Sequence, residues 1–172
     1  MTTSLPISQS IIDDNEACYL VPRQKQYHQG SIMDILMSRS PLFAYIAQVA
    51  ELDDFLDHPD HLEISKGITC FAPCKEYSIR YLKTFKDSGL DRLTARSIIL
   101  SSVLQFPMNL RHLQTMEIIP TMWKNYDLTI SNKNSKYFLD PNQSIYIHKS
   151  DLICSNGILH FTNGIFTNQI FI

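Results

Sequence analysis

Three residue types in this 172-residue chain could supply hydrolytic chemistry. Cys74 offers a nucleophilic sulfur, His160 a base, and Asn156 an amide that could orient an imidazole, following the logic of a nucleophile activated by a base that a third group holds in place. The surrounding sequence does not support that set. Cys74 has no activating motif beside it, and His160 falls inside a run, Gly157 to Phe161, that reads as a strand. Ile158 shares the face of His160 while Leu159 and Phe161 take the other, so the strand is apolar on both faces and covered on both. A histidine placed there is buried, must be hydrogen-bonded, and is expected to stay neutral near pH 7.

Metal chemistry is equally unpromising at this level. The four cysteines, Cys18, Cys70, Cys74 and Cys154, contain no C-x-x-C pair and are too few and too irregularly spaced for a disulfide scaffold. Cys70 and Cys154 read as small core residues. Asp57-His58-Pro59-Asp60-His61 gathers two histidines and two acids within five residues, but Pro59 breaks the helix that would align them, so a solvated loop is expected. Glycine-rich phosphate loops and paired carboxylates at a recognised spacing are missing. The chain is therefore expected to be no enzyme and to hold neither a metal nor a cofactor.

The elements that would position these residues begin at Ser31, where Ser31 and Asp34 form a capping-box-like start to a short helix. Ser40-Pro41 restarts a helix, with apolar residues at helical spacing from Leu42 to Leu56. Gly67 to Phe71 is a compact strand ended by Ala72-Pro73. Lys75 to Lys86 is a helix stopped at Gly89, and another runs from about Asp91 to near Ser102. After residue 115 the pattern turns to strands: Thr121-Met122, Leu128 and Ile130, then Tyr137 to Leu139 and Ile145 to His148, with a polar turn at 132–135. In the last stretch, Asn156-Gly157 and Asn163-Gly164 punctuate branched apolar runs, which predicts strand, turn, strand, turn, strand with type I′ turns. Residues 1–29 form a polar arm punctuated by Pro6 and Pro22, with Cys18-Tyr19-Leu20-Val21 as a candidate extra strand. Residues 30–172 form the single domain.

Two stretches resemble the signature boxes of fasciclin domains. Thr69-Cys70-Phe71-Ala72-Pro73 is similar to the T-x-F-A-P core of the first box. Asn156-Gly157-Ile158-Leu159-His160-Phe161, preceded by Asp151-Leu152, is similar to the second. Thr69, Phe71, Ala72, Pro73, Asn156, Gly157 and His160 are thereby marked as structural motif residues. The likeness spans roughly residues 30–166. It departs from the family at Cys74, where a capping Thr or Ser is usual, and at Gln105-Phe106, where the family's Tyr-His pair would stand, so that pair's adhesive role is not carried over. The resemblance implies an α+β fold, two small β-sheets packed as a wedge with helices grouped mainly in the N-terminal half. It also implies a non-enzymatic adhesion or protein-interaction module whose partner is a protein, a cell-surface receptor among them, or a glycan. The family's adhesive motifs near the second box centre on an Asp-Ile pair, whose place Asp151-Leu152 occupies. As a carboxylate at a strand start, Asp151 could there ligate a receptor's metal ion or pair with an arginine; the reading favoured by its residue type is that it holds the turn before its strand through bonds to the backbone.

The composition, 44% apolar and 19% charged, is that of an ordinary globular domain, and a net charge of −2 gives no reason to expect nucleic acid. Charge is uneven: residues 1–63 carry ten acids and three bases, the remainder seven acids and twelve bases. No apolar run approaches 18 residues, so no membrane insertion is expected. Residues 1–20 have neither a basic start nor an apolar core and do not read as a secretory signal. Either the chain has been trimmed, or it acts inside a cell, or it is exported without a cleaved signal. That leaves a second functional reading open, an intracellular or exported microbial or viral interaction protein that kept the fold and changed the partner. Asn142-Gln143-Ser144 is a formal glycosylation sequon, meaningful only in a secreted chain.

Overall fold

The computed structural model describes residues 20–58 and 67–167. The six helices among the described residues follow largely from local chemistry. In α1 (Ile32–Arg39) the Ser31 hydroxyl oxygen accepts the Asp34 N–H at 3.1 Å, and the Asp34 carboxylate accepts the Gly30 N–H at 2.9 Å. Helix α2 (Pro41–Val49) starts with proline in its first turn, but the Ser40 hydroxyl does not cap it; it donates to the Pro73 carbonyl at 2.6 Å. The helical periodicity expected to run on to Leu56 is broken at Glu51, whose φ is +58°, and resumes as the short α3 (Asp53–Asp57). Helix α4 (Lys75–Ser88) has no side-chain cap from Cys74 and stops at Gly89. Helix α5 (Arg92–Leu100) is capped by Asp91, which accepts the Thr94 N–H at 2.7 Å, and α6 (Leu110–Leu113) is capped by Asn109.

The strands are β1 (Ile68–Pro73), β2 (Val103–Leu104), β3 (Ile118–Pro120), β4 (Asp127–Thr129), β5 (Ser131–Lys133), β6 (Lys136–Phe138), β7 (Ile147–Cys154) and β8 (Gly157–Thr162). The main sheet has the order β2-β1-β8-β7. Its centre is the parallel pair β1 and β8, with Cys70 opposite Leu159 and Phe71 opposite His160. Strand alternation then sorts the side chains. Cys70, Ala72, Leu159 and Phe161 join the helical core with Phe43, Ile46, Leu82, Phe85 and Ile98. Phe71, Leu104 and Phe166 face the opposite way, onto Leu113, Ile119, Leu128 and Leu139. The antiparallel ribbon β3-β4 gives this second core Ile119 and Leu128, and a second antiparallel ribbon, β5-β6, follows it in the chain. The class is α+β, with five of the six helices lying before residue 101. No helix among the described residues is long and apolar enough to cross a membrane.

The C-terminal stretch departs from the sequence expectation. Cys154 pairs with Gly157, so the turn residues are Ser155 and Asn156, neither of which has positive φ, and Gly157 opens β8 at φ +155°. The Asn156 amide is engaged elsewhere: its oxygen accepts the Ile32 N–H at 2.9 Å and its nitrogen donates to the Leu56 carbonyl at 2.8 Å. Among the described residues no strand follows Asn163-Gly164, since residues 165–167 are not strand. Its asparagine instead accepts the Tyr146 N–H and donates to the Ser144 carbonyl. The two-residue turn that does place both residues at positive φ is Asn134-Ser135, at +54° and +64°, between β5 and β6. Thr121-Met122 lies just past β3 rather than within a strand.

Part of the arm is fastened down. Gln48 bridges to the Arg23 backbone at 2.7 and 2.9 Å, and the buried Tyr27 donates its hydroxyl to Asp53 at 2.8 Å. Leu20 and Val21 form no strand, and Cys18 and Tyr19 lie outside the described residues. Asp57, expected in a solvated loop, is buried and accepts the Ser31 hydroxyl and the His28 N–H. Pro59, Asp60 and His61 also lie outside the described residues.

Candidate functional site

Three polar side chains on three strands of the main sheet converge on one segment, residues 106–110. On β1, the Thr69 hydroxyl donates to the Phe106 carbonyl at 2.6 Å and accepts the Met108 N–H at 2.7 Å. On β8, His160 Nε2 meets the Met108 carbonyl at 2.8 Å, and Nδ1 takes the Asp151 N–H at 3.1 Å. A carbonyl can only accept and an amide N–H can only donate, so the ring is the neutral Nε2–H tautomer. Burial holds its pKa below the usual value, partly opposed by the Met108 carbonyl and the Asp151 charge. On β7, the Asp151 carboxylate accepts the Leu110 N–H at 2.7 Å, the first backbone N–H of α6.

Asp151 does not start a strand. It sits within β7 inside the second of two register shifts, between Lys149 and Leu152, with φ at +66°, and its backbone N–H is turned towards His160. Leu152 is half-buried against the helical core.

Pinned in this way, the 106–110 segment forms one wall of a cleft of about 320 Å³ lined by Leu104, Phe106, Met108, Met116, Ile119 and Met122. Phe106 and Ile118 stand out of this region, 56% and 57% exposed. This surface lies outside the candidate site residues that the sequence patterns single out. Its signal was there: Met108, Met116 and Met122 recur around Phe106-Pro107 without helical or strand period, which marks apolar side chains displayed on irregular backbone. A larger recess, about 740 Å³, lies between α2 and α4 and is bounded by Leu20 and Val21, where the described chain begins.

The cysteine, histidine and asparagine named as a hydrolytic set do not come together. Cys74 belongs to the helical core, His160 stacks on Phe71 on the opposite face of the sheet, and the Asn156 amide ties the β7–β8 turn to α1 and α3. Burial raises all three described thiols, that of Cys154 to about 11. One group of potential metal ligands exists among the described residues: Cys74, Glu76 and His148.

No protein-family model matches the chain, and no curated protein does. A solved structure does: a FAS1 domain pair from the insect cell adhesion molecule fasciclin I, with a TM-score of 0.62 and 16% identity, covering 78% of this chain. The match takes in 50% of that chain, so this protein spans about half the length of the structure it resembles. At that identity the likeness is one of architecture, and it agrees with the mixed helices and small sheets built up above: the chain carries a fasciclin-like, FAS1-type fold.

Proposed function

We propose that this protein is an adhesion-type protein-interaction module whose contact surface is the Phe106–Ile118 ridge and the methionine-lined cleft beside it. The observation that carries the reading is an exposed Phe106 on backbone that Thr69, His160 and Asp151 pin to the sheet, beside an apolar cleft whose lining residue Ile119 is flanked by the exposed Ile118. Large apolar side chains exposed around an apolar cleft suit a surface that a partner covers, and methionines adapt their shape to a partner's side chains. Pinning lowers the ordering cost of binding, since the Phe106 segment is held before the partner arrives. The fold of an insect cell adhesion molecule supports the same class of role. An apolar cleft of this kind suits a protein's apolar side chains better than a glycan's hydroxyls.

The test is binding of the full chain to arrays of matrix and cell-surface proteins and of glycans. A Phe106→Ser/Ile118→Ser double variant is compared with Leu93→Ser, an exposed leucine on α5. Saturable binding to a protein, reduced at least about tenfold in the double variant and unchanged in Leu93→Ser, is the expected result. Binding to glycans alone, or equal binding by all three proteins, would overturn the assignment.

A further inference from the structure

We infer that Cys74, Glu76 and His148 form a zinc site with three protein ligands and an open fourth position. The candidate sulfur, carboxylate oxygen and imidazole nitrogen already lie within 4.8 Å of one another. Tetrahedral zinc, with bonds of about 2.0–2.3 Å, needs its donors roughly 3.5 Å apart, so the group must close by little more than about 1 Å. Cys74 is buried and fixed, with its N–H donating to the Thr162 carbonyl at 3.0 Å, whereas Glu76 and His148 are exposed. The edge of the Tyr77–His148 ring pair, with centroids 5.4 Å apart, steadies the imidazole on the α4 side.

Nothing else claims these donors among the described residues. Helix α4 has no side-chain cap bond, so the Cys74 sulfur is not engaged at the helix start. None of the ion pairs takes up Glu76 or His148. The donor set selects the metal: one sulfur, one imidazole and a single carboxylate suit zinc, whereas calcium and magnesium require shells of oxygen. On binding, the thiol proton leaves to solvent, and thiolate and carboxylate together balance the charge of the ion. The neighbouring cations therefore face a neutral centre. A recess of about 310 Å³, lined by Ser38, Arg39, Cys74, Glu76 and Lys149, opens onto the site. It leaves room for a fourth ligand, and Arg39 and Lys149 favour an anionic one.

Cobalt(II) reports such a site directly, because thiolate ligation produces a sulfur-to-cobalt charge-transfer band. The reduced, metal-stripped full chain is titrated with cobalt chloride and then with zinc chloride. One equivalent of cobalt should bind with that band, and zinc should displace it. Cys74→Ser should abolish the band. Glu76→Gln and His148→Gln should each weaken binding by about tenfold or more, with metal-free melting unchanged because both side chains are exposed. The proposal is overturned if no cobalt binds, if the band persists in Cys74→Ser, or if Glu76→Gln and His148→Gln both bind like the parent.

Discussion

On the helical face of the main sheet, Cys70, Ala72, Leu159 and Phe161 meet Phe43, Ile46, Leu82, Phe85 and Ile98, apolar side chains against apolar side chains. On the ribbon face, Phe71, Leu104 and Phe166 also bury against a small core, but there Thr69, His160 and Asp151 add hydrogen bonds to named backbone groups of one loop. Burial is non-directional, so it fixes that the helices pack while leaving latitude in how. A hydrogen bond to a particular carbonyl fixes a particular backbone path. On the face that displays the candidate binding ridge, polar contacts from mid-strand side chains specify the course of a whole loop; on the helical face the comparable bonds sit at strand ends, from Ser40 to Pro73 and from Asn156 to Ile32 and Leu56.

The joint between the two faces offers the largest perturbation. Gly157 stands where β8 begins its parallel pairing with β1. A Cβ there would lie 2.0 Å from the Ile68 carbonyl oxygen and 2.9 Å from the Ile68 nitrogen and carbonyl carbon, on a backbone at φ +155°. Backbone cannot yield as a side-chain tip can. Gly157→Val should therefore destabilise by more than about 4 kcal/mol, beyond what strain at a positive φ alone would cost. Denaturant unfolding measures this, and an unchanged midpoint would mean that the β1–β8 pairing is misplaced.

The helical half was largely legible in the sequence because its signals are local. Ser31 with Asp34, Pro41, Gly89 and Asp91 each act within a few residues of themselves, and those helices begin and end close to where expected. The C-terminal hairpin was less legible because Asn156 answers to Ile32 and Leu56, 124 and 100 residues away, rather than to its own turn. The same holds for Asp57, buried by residues 26 and 29 positions earlier. Of the candidate site, the anchors Thr69, Asp151 and His160 stood out by type and position. The segment they hold did not, since nothing in Phe106-Pro107-Met108 names its distant partners.

A middle-sized effect separates the two faces. Phe85→Ala on the helical side should cost about 3–5 kcal/mol and lower amide protection throughout, because it opens a cavity in the shared core. His160→Leu keeps most of the packing against Phe71 but strands the Met108 carbonyl and the Asp151 N–H, at about 1–3 kcal/mol for each group left unpaired. Its loss of hydrogen-exchange protection should centre on residues 106–113 and 149–151. Uniform loss in both variants would erase the contrast. The pH dependence sharpens it. His160 has a folded pKa depressed by burial, so the unfolded imidazole takes up a proton near pH 6.5 while the folded one resists. Its contribution is complete above about pH 6.5 and declines as pH falls below that, at a slope of at most about 1.4 kcal/mol per pH unit. His160→Leu should lack that part of the slope between about pH 7 and pH 5; identical slopes would show that the ring titrates freely in the folded chain.

The smallest expected effect is the most informative about the ribbon face. Asp151 holds φ +66° and offers a carboxylate oxygen to Leu110, while its side chain remains 44% exposed. Asparagine tolerates that backbone region better than most residues and keeps a side-chain oxygen for the same N–H. Asp151→Asn should thus change stability by less than about 0.5 kcal/mol, whereas Asp151→Ala, which loses both features, should cost about 1 kcal/mol. Once a partner is in hand, the asparagine variant separates two ways the face can bind. If affinity holds while folding is unchanged, Asp151 acts only by anchoring the start of α6 beneath the apolar ridge. If affinity falls about tenfold with folding unchanged, the exposed carboxylate oxygen itself meets a cation or arginine on the partner, and the Asp151-Leu152 pair joins Phe106 and Ile118 in the contact.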